Sequence, residues 1–125
     1  MILHYIFIGL GGAFGAISRI AIGKLLPKML WGIPLPILFV NVLGCFVIGL
    51  LTEIMTIHWT VSDNVRCFLI SGFLGGFTTF SSLALEFGLL CEKNEYASAI
   101  IYATLSFALS ITCFFLAIKA VRFFS

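Results

Sequence analysis

Gly72-Phe73-Leu74-Gly75-Gly76-Phe77-Thr78-Thr79-Phe80-Ser81-Ser82 places adjacent glycines and four hydroxyl side chains where a membrane helix is ordinarily apolar throughout. The block lies in an uncharged stretch from Cys67 to Leu85, bounded by Arg66 and Glu86. That stretch is long enough to span a bilayer. Gly75 and Gly76 weaken helix continuity at its centre. In hydrocarbon, a freed backbone N–H or C=O is costly unless something satisfies it. A break is tolerated only where it is buried in protein, binds an ion or lines a wet cavity. The pattern points to a chain that handles an ion, with this block marking the place.

Other polar residues fall in otherwise apolar runs. Asn41 sits in Phe39-Val40-Asn41-Val42-Leu43-Gly44. A buried amide can offer two N–H donors to an anion, or it can cross-link helices. Tyr102, Ser106 and Ser110 recur at i, i+4 and i+8, which keeps them on one helix face, with Thr112 beside them. Serines in such helices also bond their own i−4 carbonyl, which would leave the stripe inert. Phe80, Leu83 and Glu86 recur every three residues after the glycines. Arg19 lies near the end of the first apolar run, where it could snorkel to the headgroups or stand at a pore mouth. No Asp or Glu lies near the centre of any run, since Glu53 and Glu86 are both near ends. A cation or proton-coupled carrier normally needs a central carboxylate. Neutral Asn, Ser, Thr and Tyr donors, with the positive edges of aromatic rings, suit a small anion better.

The elements that must position these groups follow from composition. Of 125 residues, 62% are hydrophobic and 10% charged, with mean hydropathy +1.21. A soluble domain carries about 25% charged residues, so the chain is an all-α integral membrane protein. It forms a single transmembrane domain over residues 1–125. Four apolar runs predict helices at about 3–24, 34–56, 66–90 and 96–120, the third broken mid-membrane at Gly75-Gly76. The first run has no Lys or Arg before its apolar part and reads as a retained span. Pro27, Pro34 and Pro36 mark the first connection and the start of the second helix. Thr60 to Asn64 is a polar turn able to cap the third helix, and Glu92-Lys93-Asn94-Glu95 is a tight loop. Cys45, Cys67, Cys91 and Cys113 are scattered and read as packing thiols. His4 and His58 fall near span ends and read as interfacial. A net charge of +2 is too small to argue for nucleic acid.

Close packing is written into the small-xxx-small pairs Gly11/Gly15, Gly12/Ala16 and Gly72/Gly76. These serve either contacts within one chain or a dimer whose interface builds the transport path.

At this point the chain resembles the Fluc (CrcB-type) fluoride channels of bacteria. The resemblance covers all four spans. It rests on Gly11-Gly12-x-x-Gly15-Ala16-x-x-Arg19, on Val40-Asn41-x-x-Gly44-x-Phe46-x-x-Gly49 and on the Gly72 to Ser81 block, with Glu86 beyond it. It implies an antiparallel, dual-topology homodimer with two fluoride pores in a bacterial inner (plasma) membrane. It implies passive fluoride efflux and no enzymatic step. It also implies a structural Na⁺ at the dimer centre, held by the backbone carbonyls of Gly75 and Thr78. The matching pore positions are Asn41, Thr79, Phe80, Ser81, Leu83, Tyr102, Ser106 and Ser110, with Arg19 and Glu86 at the pore mouth. The sequence departs from the family pattern in two places. Leu83 stands where a second phenylalanine is usual, and Pro36-Ile37-Leu38 replaces Gly-Thr-Leu. Such departures would also suit one half of a pair with a paralogous subunit. Two rivals fit less well. A small four-helix multidrug exporter would need a carboxylate embedded in the first span. A non-transporting membrane subunit has no need of a mid-membrane break.

Four spans put both termini on one side of the bilayer. That side then carries Arg66, Lys119 and Arg122, and the other Lys24, Lys28 and Lys93, or one more if Arg19 reaches out. The positive-inside rule requires an excess on one side, and this count supplies none. Both orientations are expected in one membrane. With the native cysteines removed and one placed near the C-terminus, a membrane-impermeant thiol reagent should label intact cells partially. Complete or absent labelling would refute dual insertion.

Overall fold

A computed structural model describes all residues from Met1 to Ser125. Four helices are long and apolar enough to cross a membrane, at Ile2–Lys24, Leu35–Ile57, Asp63–Glu92 and Tyr96–Phe123. The chain is therefore a multi-pass membrane protein. The helices designated α1 (Ile2–Lys24) and α2 (Leu35–Ile57) make the first two spans. The third span is composite. It consists of α3 (Asp63–Arg66), a π-helical segment (Cys67–Leu74), α4 (Gly75–Phe77) and α5 (Phe80–Glu92). The last helix, α6, runs Tyr96–Phe123.

The ends of these elements follow local chemistry. Ser62 caps α3, its Oγ accepting from the Val65 N–H at 3.3 Å. Between α5 and α6, Asn94 adopts φ 62°, and the Glu95 N–H closes onto the Leu90 carbonyl at 2.9 Å. The first connection holds a feature the prolines did not reveal. A two-stranded hairpin pairs β1 (Met29–Leu30) with β2 (Ile33–Pro34). Its turn residues Trp31 and Gly32 both have positive φ, at 53° and 77°. Paired left-handed residues match the twist of a two-residue hairpin.

The break in the third span lies at Thr78-Thr79, which corrects the expectation of an interruption at Gly75-Gly76. Thr78 and Thr79 are extended, with φ −90° and −152°, while Gly75 is helical at φ −63°. The glycines instead allow backbones to touch. A Cβ on Gly76 would stand 2.5 Å from the Gly12 carbonyl, and one on Gly72 2.7 Å from that of Ile8. Reciprocally, a Cβ on Gly11 or Gly15 would collide with the carbonyls of Phe68 and Phe73. The small-xxx-small pairs thus serve α1 against the third span within one chain. The second pairing is α2 with α6. Gly49 marks that contact, a Cβ there falling 2.6 Å from the Phe114 carbonyl. Across the same pair, Arg122 Nε donates to Glu53 Oε1 at 3.1 Å, and His58 Nε2 lies 2.7 Å from Ser125 Oγ.

Substitutions at the glycines separate these roles. Gly15→Ala must displace the Phe73 backbone and should cost about 1–3 kcal/mol of stability. Gly9 and Gly88 have nothing within 4 Å of an added Cβ. Gly9→Ala and Gly88→Ala should raise stability by about 0.5–1 kcal/mol through helix propensity. Thermal unfolding in detergent reads all three.

Candidate functional site

Breaking a helix inside a bilayer frees backbone groups, and neighbouring side chains claim most of them. Asn41, in the middle of α2, forms two hydrogen bonds to one residue of the break. The Thr79 N–H donates to Asn41 Oδ1 at 2.7 Å, and Asn41 Nδ2 donates to the Thr79 carbonyl at 2.9 Å. The amide acts as a surrogate peptide, pairing with extended backbone as a β-strand neighbour would. Its role as a cross-link is realised, with one N–H of the Nδ2 group left over. Gly44 lies one turn along α2, and a Cβ there would collide with the Thr78 side chain. Asn41-x-x-Gly44 therefore supplies both the amide and the room that the break requires.

Arg19 reaches back toward the break from near the end of α1. Its Nε donates to the Gly76 carbonyl at 3.3 Å, so the side chain turns inward to the segment before the break. The two threonines complete the local bonding. Thr78 Oγ1 donates to the Leu74 carbonyl at 2.9 Å, and Thr79 Oγ1 caps α5 by accepting from the Ser82 N–H at 3.2 Å. The Gly75 and Thr78 carbonyls are among those left without helical donors. The Thr79 N–H that would ordinarily bond Gly75 is held by Asn41, and no backbone hydrogen bond reaches the Thr78 carbonyl. Gly75 is also exposed on the face of this chain.

A groove of about 890 Å³ runs past the break between α2, α5 and α6. Asn41, Thr78 and Thr79 line it at the break, Ser106 and Ser110 line it from α6, and Phe80, Leu83 and Phe107 add apolar surface. No charged side chain contributes to the lining. Phe80 is 80% exposed and Phe107 73%, so one side of the groove is open in a single chain. Ser106 Oγ is buried there with no hydrogen-bond partner. An orphaned hydroxyl in a low-dielectric groove is costly, and it is available to a ligand.

The remaining candidates separate. Tyr102 shares the face of Ser106 and Ser110, but its ring is fully buried in a core cluster with Leu38, Leu90 and Ala99. Its hydroxyl is unpaired and does not line the groove. Ser81 is exposed and bonds Thr79 Oγ1 at 3.2 Å, also outside the groove. Arg19 and Glu86 line a second cleft of about 590 Å³, formed by the end of α1, the hairpin and the start of α2. Two features of the site escaped sequence reasoning. Cys45 lines the groove one helical turn beyond Asn41, and its i+4 spacing was the available signal. The π-helical segment precedes the break with no local signature in its apolar residues.

The chain is 37% identical over 125 residues to a Rhizobium etli protein named fluoride-specific ion channel FluC, covering 96% of this chain and 97% of that one. It is 39% identical over 117 residues to fluoride-specific ion channel FluC 1 of Nitrobacter hamburgensis, covering 90% of each. It is 44% identical over 101 residues to the FluC protein of Thermus thermophilus, covering 80% of each. Residues 6–118 match the family model for CrcB-like protein, Camphor Resistance (CrcB). That match takes in all four spans, the helix break and both clefts, and the chain belongs to the CrcB-like family.

Proposed function

We propose that this protein is a fluoride channel that lets the anion leave the cytoplasm down its gradient across a bacterial inner membrane. The observation that carries the reading is the uncharged, donor-bearing groove beside the helix break. Fluoride crosses membranes as weak-acid HF, dissociates inside and needs a route out as the ion. Asn41, Thr79, Ser106 and Ser110 supply neutral donors that can replace its hydration shell. A fixed positive charge in the path would bind the anion too tightly to release it, and none lines the groove. No covalent step is involved. The names of the relatives agree with this ion.

The open side of the groove supports assembly with a second copy. A polar path facing acyl chains is unstable, so a protein surface must cover it. An antiparallel homodimer would cover the open side, where Phe80 and Phe107 are exposed, and the lysine and arginine balance permits that arrangement. A paralogous subunit could take the same place. The carbonyls of Gly75 and Thr78 fit a structural Na⁺ in chemical type. They are oxygen donors without helical partners, and no cluster of His, Cys, Asp or Glu competes for a divalent ion. Such an ion would neutralise the orphaned dipoles and hold two chains together without travelling with fluoride.

Liposomes holding the purified chain should pass fluoride and almost no chloride, and comparable fluxes of the two would reject the reading. Asn41→Asp keeps an acceptor for the Thr79 N–H but adds a negative charge to the groove. It also loses the Nδ2 donor to the Thr79 carbonyl, so it should stop flux and cost about 1–3 kcal/mol of stability. Asn41→Ala orphans both groups of Thr79, at about 1–3 kcal/mol each, and should lower stability as well. Phe80→Ile should slow flux strongly with little change in the stability of the single chain. Wild-type efflux from folded Asn41→Asp and Phe80→Ile proteins would place the path elsewhere.

Sodium removal tests the structural ion separately. Replacing Na⁺ by a bulky organic cation on both sides should abolish flux and weaken dimers, and restoring Na⁺ should recover both. Undiminished flux without Na⁺ would exclude the structural role.

A further inference from the structure

Two unpaired ammonium groups and an outward-facing indole meet at one end of the bundle. Lys24 ends α1, and Lys28 immediately precedes β1. Both line the cleft of about 590 Å³ beside the hairpin. Neither forms a salt bridge, because the one ion pair in the chain joins Arg122 to Glu53. The third cation of the cleft, Arg19, is already committed through Nε to the Gly76 carbonyl. Glu86 is the only acid lining it.

Beside these lysines the chain exposes apolar surface. Trp31 is 89% exposed at the hairpin tip and Leu25 84% at the end of α1. Met29 and Leu30 are exposed too. The tip is held in place. The Leu35 N–H closes onto the Lys28 carbonyl at 3.3 Å, Pro34 is buried, and Gly32 packs against the side chain of Ser98. Trp31 takes a left-handed φ of 53°, which a bulky residue rarely adopts. An ordered, strained backbone thus presents an indole away from the protein.

The position of this surface selects its occupant. The hairpin joins the end of one span to the start of the next, so it lies at headgroup level. Trp is favoured there, with its ring at the boundary of headgroup and acyl chain, and lysines there attract acidic lipids. A free anion in water would make no use of the adjoining apolar side chains. We propose that this end of the protein binds an acidic phospholipid, its phosphate between Lys24 and Lys28 and its acyl boundary against Trp31 and Leu25. The inference rests on membrane embedding and does not depend on which ion the protein conducts.

Native mass spectrometry of protein exchanged into mixed phosphatidylglycerol and phosphatidylcholine micelles tests it. Wild type should retain phosphatidylglycerol preferentially. A basic residue near an anionic surface is worth about fivefold in binding, so Lys24→Gln/Lys28→Gln should lower that preference by about thirtyfold. Lys24→Arg/Lys28→Arg should restore it. Trp31→Asn tolerates the left-handed backbone but lacks the ring, and should reduce retention of both lipids. Equal phosphatidylglycerol retention by wild type and the glutamine variant would overturn the proposal. So would displacement of the lipid by equimolar inorganic phosphate, which would mark a site for the free anion.

Discussion

The break at Thr78-Thr79 lies within a span long and apolar enough to cross a membrane, and the backbone groups it frees must be satisfied. The rest of the architecture answers that requirement. Asn41 takes both backbone groups of Thr79, Arg19 takes the Gly76 carbonyl, and the Thr78 and Thr79 hydroxyls take Leu74 and Ser82. Each partner comes from a different turn or a different helix, so α1, α2 and the broken span form one hydrogen-bonded unit. The Gly75 and Thr78 carbonyls are left over from this accounting.

The same span works differently on its two faces. Toward α1, Gly72 meets Gly11, Gly76 meets Gly12 and the Phe73 backbone meets Gly15, which leaves no room for a side chain at these contacts. Such contacts are strong in lipid because association there depends on van der Waals packing rather than on exclusion of water. Toward α2 and α6 the extended threonines leave a groove lined by hydroxyls, an amide and aromatic carbon. The tight face anchors the break in position. The loose face leaves the break open to the groove.

Charge follows the same division. Formal charges lie toward the ends of the spans, and where Arg19 reaches inward its Nε donates to a carbonyl outside the groove lining. The groove keeps neutral dipoles only. A weakly held anion needs donors that cost little to leave, and Asn, Ser and Thr meet that need better than a cation does.

Much of this was legible in the residues. Hydropathy alone separates four spans, because each apolar run matches the bilayer thickness. The glycine-threonine-serine block marks the third span as discontinuous, and Asn41 stands out as a polar group with no local reason to be there. Ordered motifs across the chain carried the family resemblance. Pattern alone could not say which of two adjacent devices makes the break. Glycine lowers helix stability in isolation, yet Gly75 and Gly76 are helical, and at Gly76 the bare backbone lets α1 come into contact. The threonines extend because Asn41 offers them a substitute for helical hydrogen bonds, and that partner is 38 residues away. Tyr102 and Ser106 share one face by spacing, but only the packing of Leu38, Leu90 and Ala99 decides that the first is core and the second lines the groove. Composition and periodicity are local properties, and they determined the spans and the kind of chemistry. Which polar group satisfies which depends on contacts between distant helices, and tertiary structure alone decided that.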